Sequence, residues 1–595
     1  MLHTIIKPNS YQDSVNLMLL TNHISALEGV VQASIMMGTP ANKDIMGNSG
    51  LYTDELEKAG ANDMCIVIDA EENGNVDDML AAVDRFLSDQ SVSGSQSSTL
   101  SVRSWERALK ENPGANLAMI SVPGQYAAEE ADKALELGLH AFIFSDNVPI
   151  EAELNLKRKA HEKGLLVMGP DCGTGIISGV PLAFANRVKG GNIGIVGASG
   201  TGIQEVSTLI DRMGGGISHA IGTGGRDLSE GIGAITMLDG IHGLEYSDQT
   251  DVIVVISKPP AKEVRDRVVH QLQGISKPVV ALFLGEKPSA HEGNMYQAYT
   301  LEEAARIAID LGKGNPVLPL YSVPLEVPET ELQSDQTSIQ GLYAGGTLAA
   351  EAAMLIADAL QLQDGLIHEA GYVLRSNGHA IVDLGDDMYT QGKPHPMIDP
   401  ATRIQHIEKA AADPATAVIL FDVVLGYGGH DDMAGVLAPA VEKASSKAKA
   451  EGRNIYFVAA LCGTLQDPQS YAEQKRRFEQ AGVLVKESNN QAVRTVLAMM
   501  NLSLEDVPKS YRPAATVSAD NRESSSFVQQ LLNGKPSIIN VGLSKFAEAI
   551  AASGSGATVV QYDWRPVAGG SAKMQHILKQ LNQYRFNGRI RLVHA

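Results

Sequence analysis

The sequence predicts an α/β protein built from several parallel-sheet domains, with a small α+β module at the N-terminus. Three observations predict it. Short apolar runs bounded by glycine or proline alternate with amphipathic stretches of helical period along most of the chain, the pattern of strands joined by helical crossovers. Apolar residues make up 44% and aromatics only 5%, so the cores are filled mainly by Ala, Val, Ile and Leu, as parallel sheets and their covering helices are. The 595 residues correspond to about three to five domains at roughly 100–200 residues each.

Taken in order, residues 1–90 begin with HTIIKP as a strand and SVNLMLLTNHISALEG as a helix stopped at Gly29. VVQASIMMG and CIVIDA follow as strands and VDDMLAAVDRFL as a helix, a small ferredoxin-like unit. The Ser-rich stretch at 90–101 reads as a linker. Residues 103–188 alternate strand and helix from LAMISVPG to LLVMGPDCG, and a short turn at 187–192 separates them from the next block. Residues 191–313 repeat the alternation through NIGIVGASG, DVIVVISKP and VVALFLGEKP. A Pro-rich linker leads to 340–502, with GLYAGGTLAAEA, AVILFDVVLGYGGHDDMAG, NIYFVAALCGT and VLVKES. A polar linker then precedes a β-α-β tail, 527–595. In such sheets ligands gather at the carboxyl ends of the strands, so the loops there are the place to look for chemistry.

The formal net charge of −21 predicts no nucleic-acid partner and no attraction to anionic lipid. No run approaches the roughly 18 apolar residues of a membrane span, and the first residues are not a signal peptide. The three cysteines, Cys65, Cys172 and Cys462, are far apart and form no CxxC pattern, which predicts a reducing, cytoplasmic setting. Neither HExxH nor a paired-ligand spacing occurs, so no transition metal is expected.

GNIGIVGASGTGIQEV carries the sharpest local signal. An apolar strand runs into Ser199, Gly200, Thr201 and Gly202 and then into a helix, whose first N–H groups and dipole favour an anion. LGYGGHDDMAG has the same grammar at Gly428 and Gly429, and GLYAGGTL at Gly345, Gly346 and Thr347. None has the lysine of a Walker A loop. Two such helix starts facing one another, at Ser199–Thr201 and at Gly428–His430, would hold a phosphate from both sides. Asp171 and Cys172 in GPDCG, and Gly225 and Arg226 in IGTGGRD, are candidate substrate contacts. His291 in KPSAHEG and His430 are candidate catalytic residues, for proton transfer or as a phosphoacceptor. His395 and Asp399 in KPHPMIDP are close enough in sequence to shape the third block's site.

These loops carry a resemblance. SVPG, GPDCG, NIGIVGASG and KPSAHEG stand in the same order as VPAP, GPNCPG, KVGIVSRSG and KxxxHxG in the alpha subunit of succinyl-CoA synthetase. LGYGGH and ALCGT are similar to the NIFGGI loop and RLEG turn of its beta subunit. The resemblance implies a CoA-binding-like Rossmann domain at 103–188, lacking its first half, and two flavodoxin-like domains at 191–313 and 340–502. With that half and the ATP-grasp domain absent, CoA sits poorly with the chain and no resident cofactor is expected. YQDSVNLMLL, MMGTPANK, GPDCGTGII and GLYAGGTLAAEA resemble the FdrA proteins more narrowly. The tail, INVGLSKFAEAI and VVQYDWRPVAGG, looks like the opening of a partner protein family that accompanies FdrA, a short fused or duplicated docking module. The resemblance implies a subunit of oxamate carbamoyltransferase, in a complex with other subunits, moving a carbamoyl group between oxalurate and phosphate in purine breakdown. Phosphate or carbamoyl phosphate would then be the substrate. It leaves open an acyl-CoA enzyme acting through phosphorylated His291 with a separate ATP-grasp chain, and a non-catalytic scaffold.

Overall fold

A computed structural model describes residues 2–8, 10–12, 14–71, 75–94, 100–322, 325–362, 366–369, 371–390, 394–513, 524–566 and 577. The chain divides into two compact units, one of residues 1–98, 391–394 and 563–595 and the other of 99–390 and 395–562.

The first unit holds β1 (Leu2–Lys7), α1 (Ser14–Ser25), β2 (Val30–Met37), α2 (Pro40–Asn48), β3 (Met64–Ala70) and α3 (Val76–Gly94). Its sheet is antiparallel in the order β1-β3-β2. Leu17, Leu20 and Ile24 of α1 and Met79 and Val83 of α3 bury against Ile35, Ile66 and Ile68 of the strands, one face of each helix on one face of the sheet. α3 runs on to Gly94, into the stretch expected to be linker.

The second unit contains three sheets. One belongs to β4 (Ser101–Val102), α4 (Trp105–Glu111), β5 (Leu117–Ile120), α5 (Gly124–Glu136), β6 (His140–Ile143), α6 (Ile150–Lys163) and β7 (Val167–Met168). A second is built on β8 (Thr174–Ile177), β9 (Val180–Ala183), β10 (Gly190–Ala198), α7 (Gly200–Arg212), β11 (Ile217–Gly222), α8 (Ile235–Glu245) and β12 (Val252–Ser257). It continues with α9 (Lys262–Gly274), β13 (Val279–Phe283), β14 (Ala290–Glu292), β15 (Met295–Gln297) and α10 (Leu301–Gly312). The third uses β16 (Ser338–Tyr343), α11 (Gly346–Ala359), β17 (Leu366–Glu369), β18 (Tyr372–Ser376), β19 (His379–Asp383), α12 (Asp387–Thr390), α13 (Ala401–Ala412) and β20 (Thr416–Val424). α14 (Met433–Ala450), β21 (Tyr456–Cys462), α15 (Tyr471–Gln480), β22 (Val483–Lys486) and α16 (Asn489–Met499) complete it, and β23 (Ser510–Arg512) returns to the edge of the second sheet. The chain ends its described part with α17 (Ser526–Asn533), β24 (Ser537–Val541), α18 (Ser544–Ala552) and β25 (Thr558–Tyr562).

In the second sheet the parallel strands run β11-β10-β12-β13-β15, and in the third β19-β16-β20-β21-β22. Numbered within each block, both are 2-1-3-4-5, the flavodoxin-like order with its topological switch between the first and third strands. β8 and β9 add an antiparallel edge to the second sheet, so residues 174–183 leave the Rossmann block in which the sequence placed them.

The tail corrects the reading of an incomplete Rossmann domain. The first sheet runs β4-β25-β24-β5-β6-β7 and every pair is parallel. Counting β24 and β25 as its first two strands gives 3-2-1-4-5-6, the full dinucleotide-fold order. The half that is missing ahead of residue 103 is supplied from 537–562, a circular permutation.

Candidate functional site

Helix α7 is buried almost all round, which is rare for a helix carrying Gln204, Glu205, Ser207, Thr208 and Asp211. Gln204, Glu205 and Thr208, with Arg212 at the helix end, are spent on the third sheet's elements, while Ser207 bonds within α7 and Asp211 accepts the N–H of Lys189. Gln204 reaches the carbonyl of Leu425, Glu205 accepts the N–H of Asn489, Thr208 meets Cys462, and Arg212 bonds Tyr471 and the carbonyl of Leu461. Ile203, Val206 and Ile210 join the same core as Leu348, Ala352 and Leu355 of α11. This packing brings the start of α7, at the switch between β10 and β12, against the start of α11, at the switch between β16 and β20.

The contact is direct. Ser199 caps α7 by accepting the N–H of Gly202 at 2.9 Å, and its hydroxyl lies 2.6 Å from that of Thr347. A side chain at Gly345 would collide with Thr201, its Cβ 2.9 Å from Thr201 Cγ2 and from Asp422 Oδ2. Ser199's hydroxyl leaves Gly200 and Thr201 as first-turn donors of α7, and Gly346 and Thr347 are those of α11. The hydroxyls of Ser199 and Thr347 are paired with each other, which leaves backbone amides rather than these side chains to face any ligand.

Around these termini stand groups that the sequence did not single out. Lys258 follows β12 directly, and Asp383 ends β19; a Cβ on Gly346 would stand 2.5 Å from Asp383 Oδ2 and 3.2 Å from Lys258 Nζ. Partial burial pushes Asp383 up to about 6 against the pull of Lys258. Asp171 shares the neighbourhood: desolvation first and the charge of Asp146 next push it up to about 6, while Lys258 and Arg226 pull it down. Asp422 is a lone carboxylate in the apolar strand TAVILFDVV, and it explains the turn before α11. Its oxygens accept the N–H groups of Ala344 at 2.8 Å and Gly345 at 2.7 Å, and buried Arg403 neutralises it. The signals that could have found these residues are position at a strand's carboxyl end and a charge inside an apolar run.

The other expected residues fare differently. Gly225 lies 3.4 Å, by its would-be Cβ, from Asp171 Oδ2, so these two do come together. Arg226 is held by Glu153 at 2.8 Å and the carbonyl of Val148 at 2.7 Å, a tether rather than a free anion contact. Cys172 is buried against Gly222 and Thr174, and burial pushes its thiol up to about 12, far from a nucleophile.

Gly428 and Gly429 do not form the second half of an anion site. Gly428, at φ +81°, packs on Phe184, and the loop bridges to Ala185 through Tyr427. Helix α14 starts only at Met433, capped by Asp432, whose carboxylate accepts the N–H of Gly435 and is held by Gln474 and Arg477. A carboxylate already occupies the place an anion would take. His430 accepts the N–H of Asp432 and bonds Met397 through its backbone.

His291 is likewise displaced from its expected role. It lies in β14, 5% exposed, with Nδ1 accepting the N–H of Gln297. Four strand positions, about 19 Å, separate β14 from β10. Burial, with Lys509 behind it, holds the imidazole down at about 4 and therefore neutral. His395 lies beside Asp383: its Nε2 is 2.8 Å from the Cβ position of Gly385, which also faces Asp383. Nδ1 of His395 accepts the N–H of Met397, which leaves Nε2 to carry the proton.

Comparison with known proteins fits this architecture. Residues 342–499 match a CoA-ligase family model, 188–285 a CoA binding domain, and 1–102 the heavy metal-associated domain of AllF. A heavy metal does not fit the last. Residues 1–102 hold a single cysteine, Cys65, and two histidines, His3 and His23; Cys65 is buried with its thiol pushed up to about 11, and no cluster of three or more His, Cys, Asp or Glu that could hold a metal exists among the described residues. Nor, among those residues, is any helix long and apolar enough to cross a membrane.

The succinate–CoA ligase alpha 1 subunit of Archaeoglobus fulgidus is 25% identical over 213 residues, 34% of this chain and 71% of that one. Subunit SauD of the ADP-forming sulfoacetate–CoA ligase of Bilophila wadsworthia is 25% identical over 31% of this chain and 64% of that one. Among solved structures, ATP citrate lyase from Methanothrix soehngenii with citrate and coenzyme A aligns at 15% identity over 83% of this chain and 88% of that one, with a TM-score of 0.29. The Escherichia coli K12 protein YahF, described as uncharacterised, is 43% identical over 495 residues, 82% of this chain and 96% of that one. On that likeness the chain belongs to the family of YahF, assembled from CoA-ligase and CoA-binding domains behind an AllF-type module.

Proposed function

We propose that this chain is a subunit of an oxamate carbamoyltransferase, which exchanges a carbamoyl group between oxalurate and phosphate. The observation that carries the reading is the meeting of α7 and α11 at their N-termini beside Lys258. The amides of Gly200, Thr201, Gly346 and Thr347 would hold phosphate, and the two helix dipoles would favour its charge. A phosphate oxygen then attacks the carbamoyl carbon of oxalurate, the bond from that carbon to the oxamate nitrogen breaks, and the nitrogen takes up a proton. The same amides stabilise the negative charge that develops on the carbonyl oxygen. Asp383, raised to about 6, is the group placed to deliver the proton, with the Nε2–H of His395 beside it. The AllF-type module supports a place in allantoin breakdown, and the kinship to ligase subunits supports partner chains. The purified chain, alone and with the subunits that co-purify with it, is expected to form carbamoyl phosphate from oxalurate only when phosphate is present. Absence of that product in every combination removes the reading.

One observation favours a second reading, an acyl-CoA ligase-like enzyme. The Rossmann sheet is complete, so the objection to CoA from a missing half falls away. Such an enzyme would not run through phosphorylated His291, which is locked in the sheet edge. Calorimetric titration with CoA separates the two: micromolar binding with no oxalurate cleavage supports the ligase-like reading.

A further inference from the structure

Helix α8 buries Thr236, Met237, Gly240, Ile241 and Leu244 and leaves the opposite stripe, Ile235, Leu238, Asp239, His242 and Glu245, to line a cavity of about 610 Å³. Gly240 seats the helix close to the second sheet: a Cβ there would stand 3.1 Å from Val196 of β10 and 3.4 Å from Ile221 of β11. The helices on either side supply the walls. α6 contributes Arg158, His161 and Glu162, and α9 contributes Arg267 and His270, each set spaced three or four residues apart and so on one helical face. Half-buried Ile235 and Leu238, with buried Ile275, give the cavity an apolar floor. Its volume falls within the range of about 300–1,000 Å³ typical of small-molecule sites. None of its residues belongs to the starts of α7 and α11.

The charges in this cavity are unevenly matched. Asp239 is bonded by Nδ1 of His161 at 2.8 Å, and Glu245 accepts the N–H of Ser276 at 3.1 Å. Glu162 stands exposed near the end of α6. The two arginines have no such engagement: among the described residues neither Arg158 nor Arg267 has a carboxylate partner, and Arg267 donates only to the neutral carbonyl of Gly233, at 3.0 Å. Arg265, on the same helix as Arg267, is by contrast clamped by both oxygens of Glu286 at 2.6 and 2.7 Å. The chain has 69 acidic against 48 basic residues, so two guanidiniums left without an acid, one on each wall of a cavity, are groups kept for an anion from outside. A guanidinium presents parallel N–H donors that match a carboxylate or a phosphate, and exposed His270 can add another. We propose that the cavity between α6, α8 and α9 binds a small organic anion, a carboxylate or phosphate ester, with its charge on Arg158 and Arg267 and its apolar body on Ile235, Leu238 and Ile275. Neither reading of the enzymatic function is needed for this.

The test is calorimetric titration of the full chain with phenyl phosphate and with benzoate. It is run on the chain bearing Gly346→Val, so that binding at the start of α11 neither adds to the signal nor is confused with it. One-to-one saturable binding of at least one anion is expected, and the tighter of the two tells phosphate esters from carboxylates. Benzyl alcohol, which has the same body and no charge, is expected to bind about 10-fold more weakly or not at all. Arg158→Gln and Arg267→Gln are each expected to weaken the anion by about 10-fold, the loss of one hydrogen bond to a charged group. Arg158 is exposed and unpaired, so its substitution leaves the fold alone even if loss of the Arg267 bond to Gly233 does not. If Gly346→Val does not fold, the arginine substitutions are read as a difference in the otherwise unaltered chain. No saturable binding of either anion overturns the site. So does binding that both arginine substitutions leave unchanged, or benzyl alcohol binding as tightly as the anions.

Discussion

Helices α11 and α14 begin after glycine-rich turns on adjacent strands of one sheet, yet they end up with opposite chemistry. The N-cap of α11 is Gly345, which has no side chain to spend on the helix's own amides; the carboxylate that anchors its turn, Asp422, bonds Ala344 and Gly345, ahead of the first helical residue. The N-cap of α14 is Asp432, and its carboxylate takes the first-turn N–H of Gly435. One helix keeps its donors for whatever lies opposite, and the other satisfies them from within. Both turns are glycine-rich, and the capping residue decides whether a helix start's amides are satisfied from within or left for a ligand.

The most damaging way to break this contrast is Asp422→Ala. It strands Arg403, 1% exposed, without its counter-ion and frees the turn before α11. A loss of about 3–5 kcal/mol is expected, as for a buried pair deprived of one partner. Hydrogen exchange should register it as early opening of β16 and α11. Unchanged protection there would mean that Asp422 does not hold the turn.

Next comes the proposed anion site. Gly346→Val drives a side chain into Asp383 and the space before Lys258, and is expected to lower sulfate or phosphate affinity by about 100-fold, in the range seen when one preorganised donor is lost. Gly429→Ala is the matched control, because the nearest atom to its Cβ would be 3.6 Å away. A change within about twofold is expected. Calorimetry with both variants would invert the comparison if Gly429→Ala were the one to lose binding.

How far the sequence reveals such differences can be followed residue by residue. The alternation of apolar runs and amphipathic stretches made all three parallel sheets of the second unit legible, because burial on both faces leaves strands apolar throughout. The junction at Ser199–Thr201 was legible for the same reason: small residues between a strand and a helix have few other uses. Its partner was not. The caps Gly345 and Asp432 stand in the sequence, but which helix start meets that of α7 is settled by α7 docking through Gln204, Glu205 and Thr208, contacts hundreds of residues apart in sequence. The permuted Rossmann sheet escaped for a related reason, since strand order is set by pairing across the chain and not by position along it. His291 misled because a motif of fitting spacing, KPSAHEG, folds into a short strand that pairs with Ser510–Arg512.

A smaller effect sharpens the contrast from the other side. Asp432→Ala removes the cap of α14 and its half-exposed pair with Arg477, and is expected to cost about 1 kcal/mol. Anion affinity should stay as it is. Thermal unfolding followed alongside sulfate titration checks both halves; a fall in affinity would show that α14 does contribute to the site.

The smallest effect is one of pH, and it separates the two helix starts without any substitution. Near α11, Asp171 and Asp383 titrate at about 6, because desolvation outweighs the pull of Lys258 on each. At α14, burial also disfavours the charge of Asp432, but Gln474, the N–H of Gly435 and Arg477 outweigh it and hold the carboxyl below its usual range. Lowering the pH from 7 to 5 therefore neutralises carboxylates beside α11 and leaves the cap of α14 ionised. Sulfate keeps its charge over this interval, so its affinity should rise by about threefold as nearby negative charge disappears. The sign for stability follows from the same shifts. Both folded-state values lie above the ordinary 3.8, so the folded state binds the extra protons, and these two groups cost stability as pH rises between about 4 and 6. Asp171→Asn combined with Asp383→Asn should flatten the sulfate response to pH. A slope that survives both substitutions would have to come from elsewhere, and would break the link between the raised carboxyls and the start of α11.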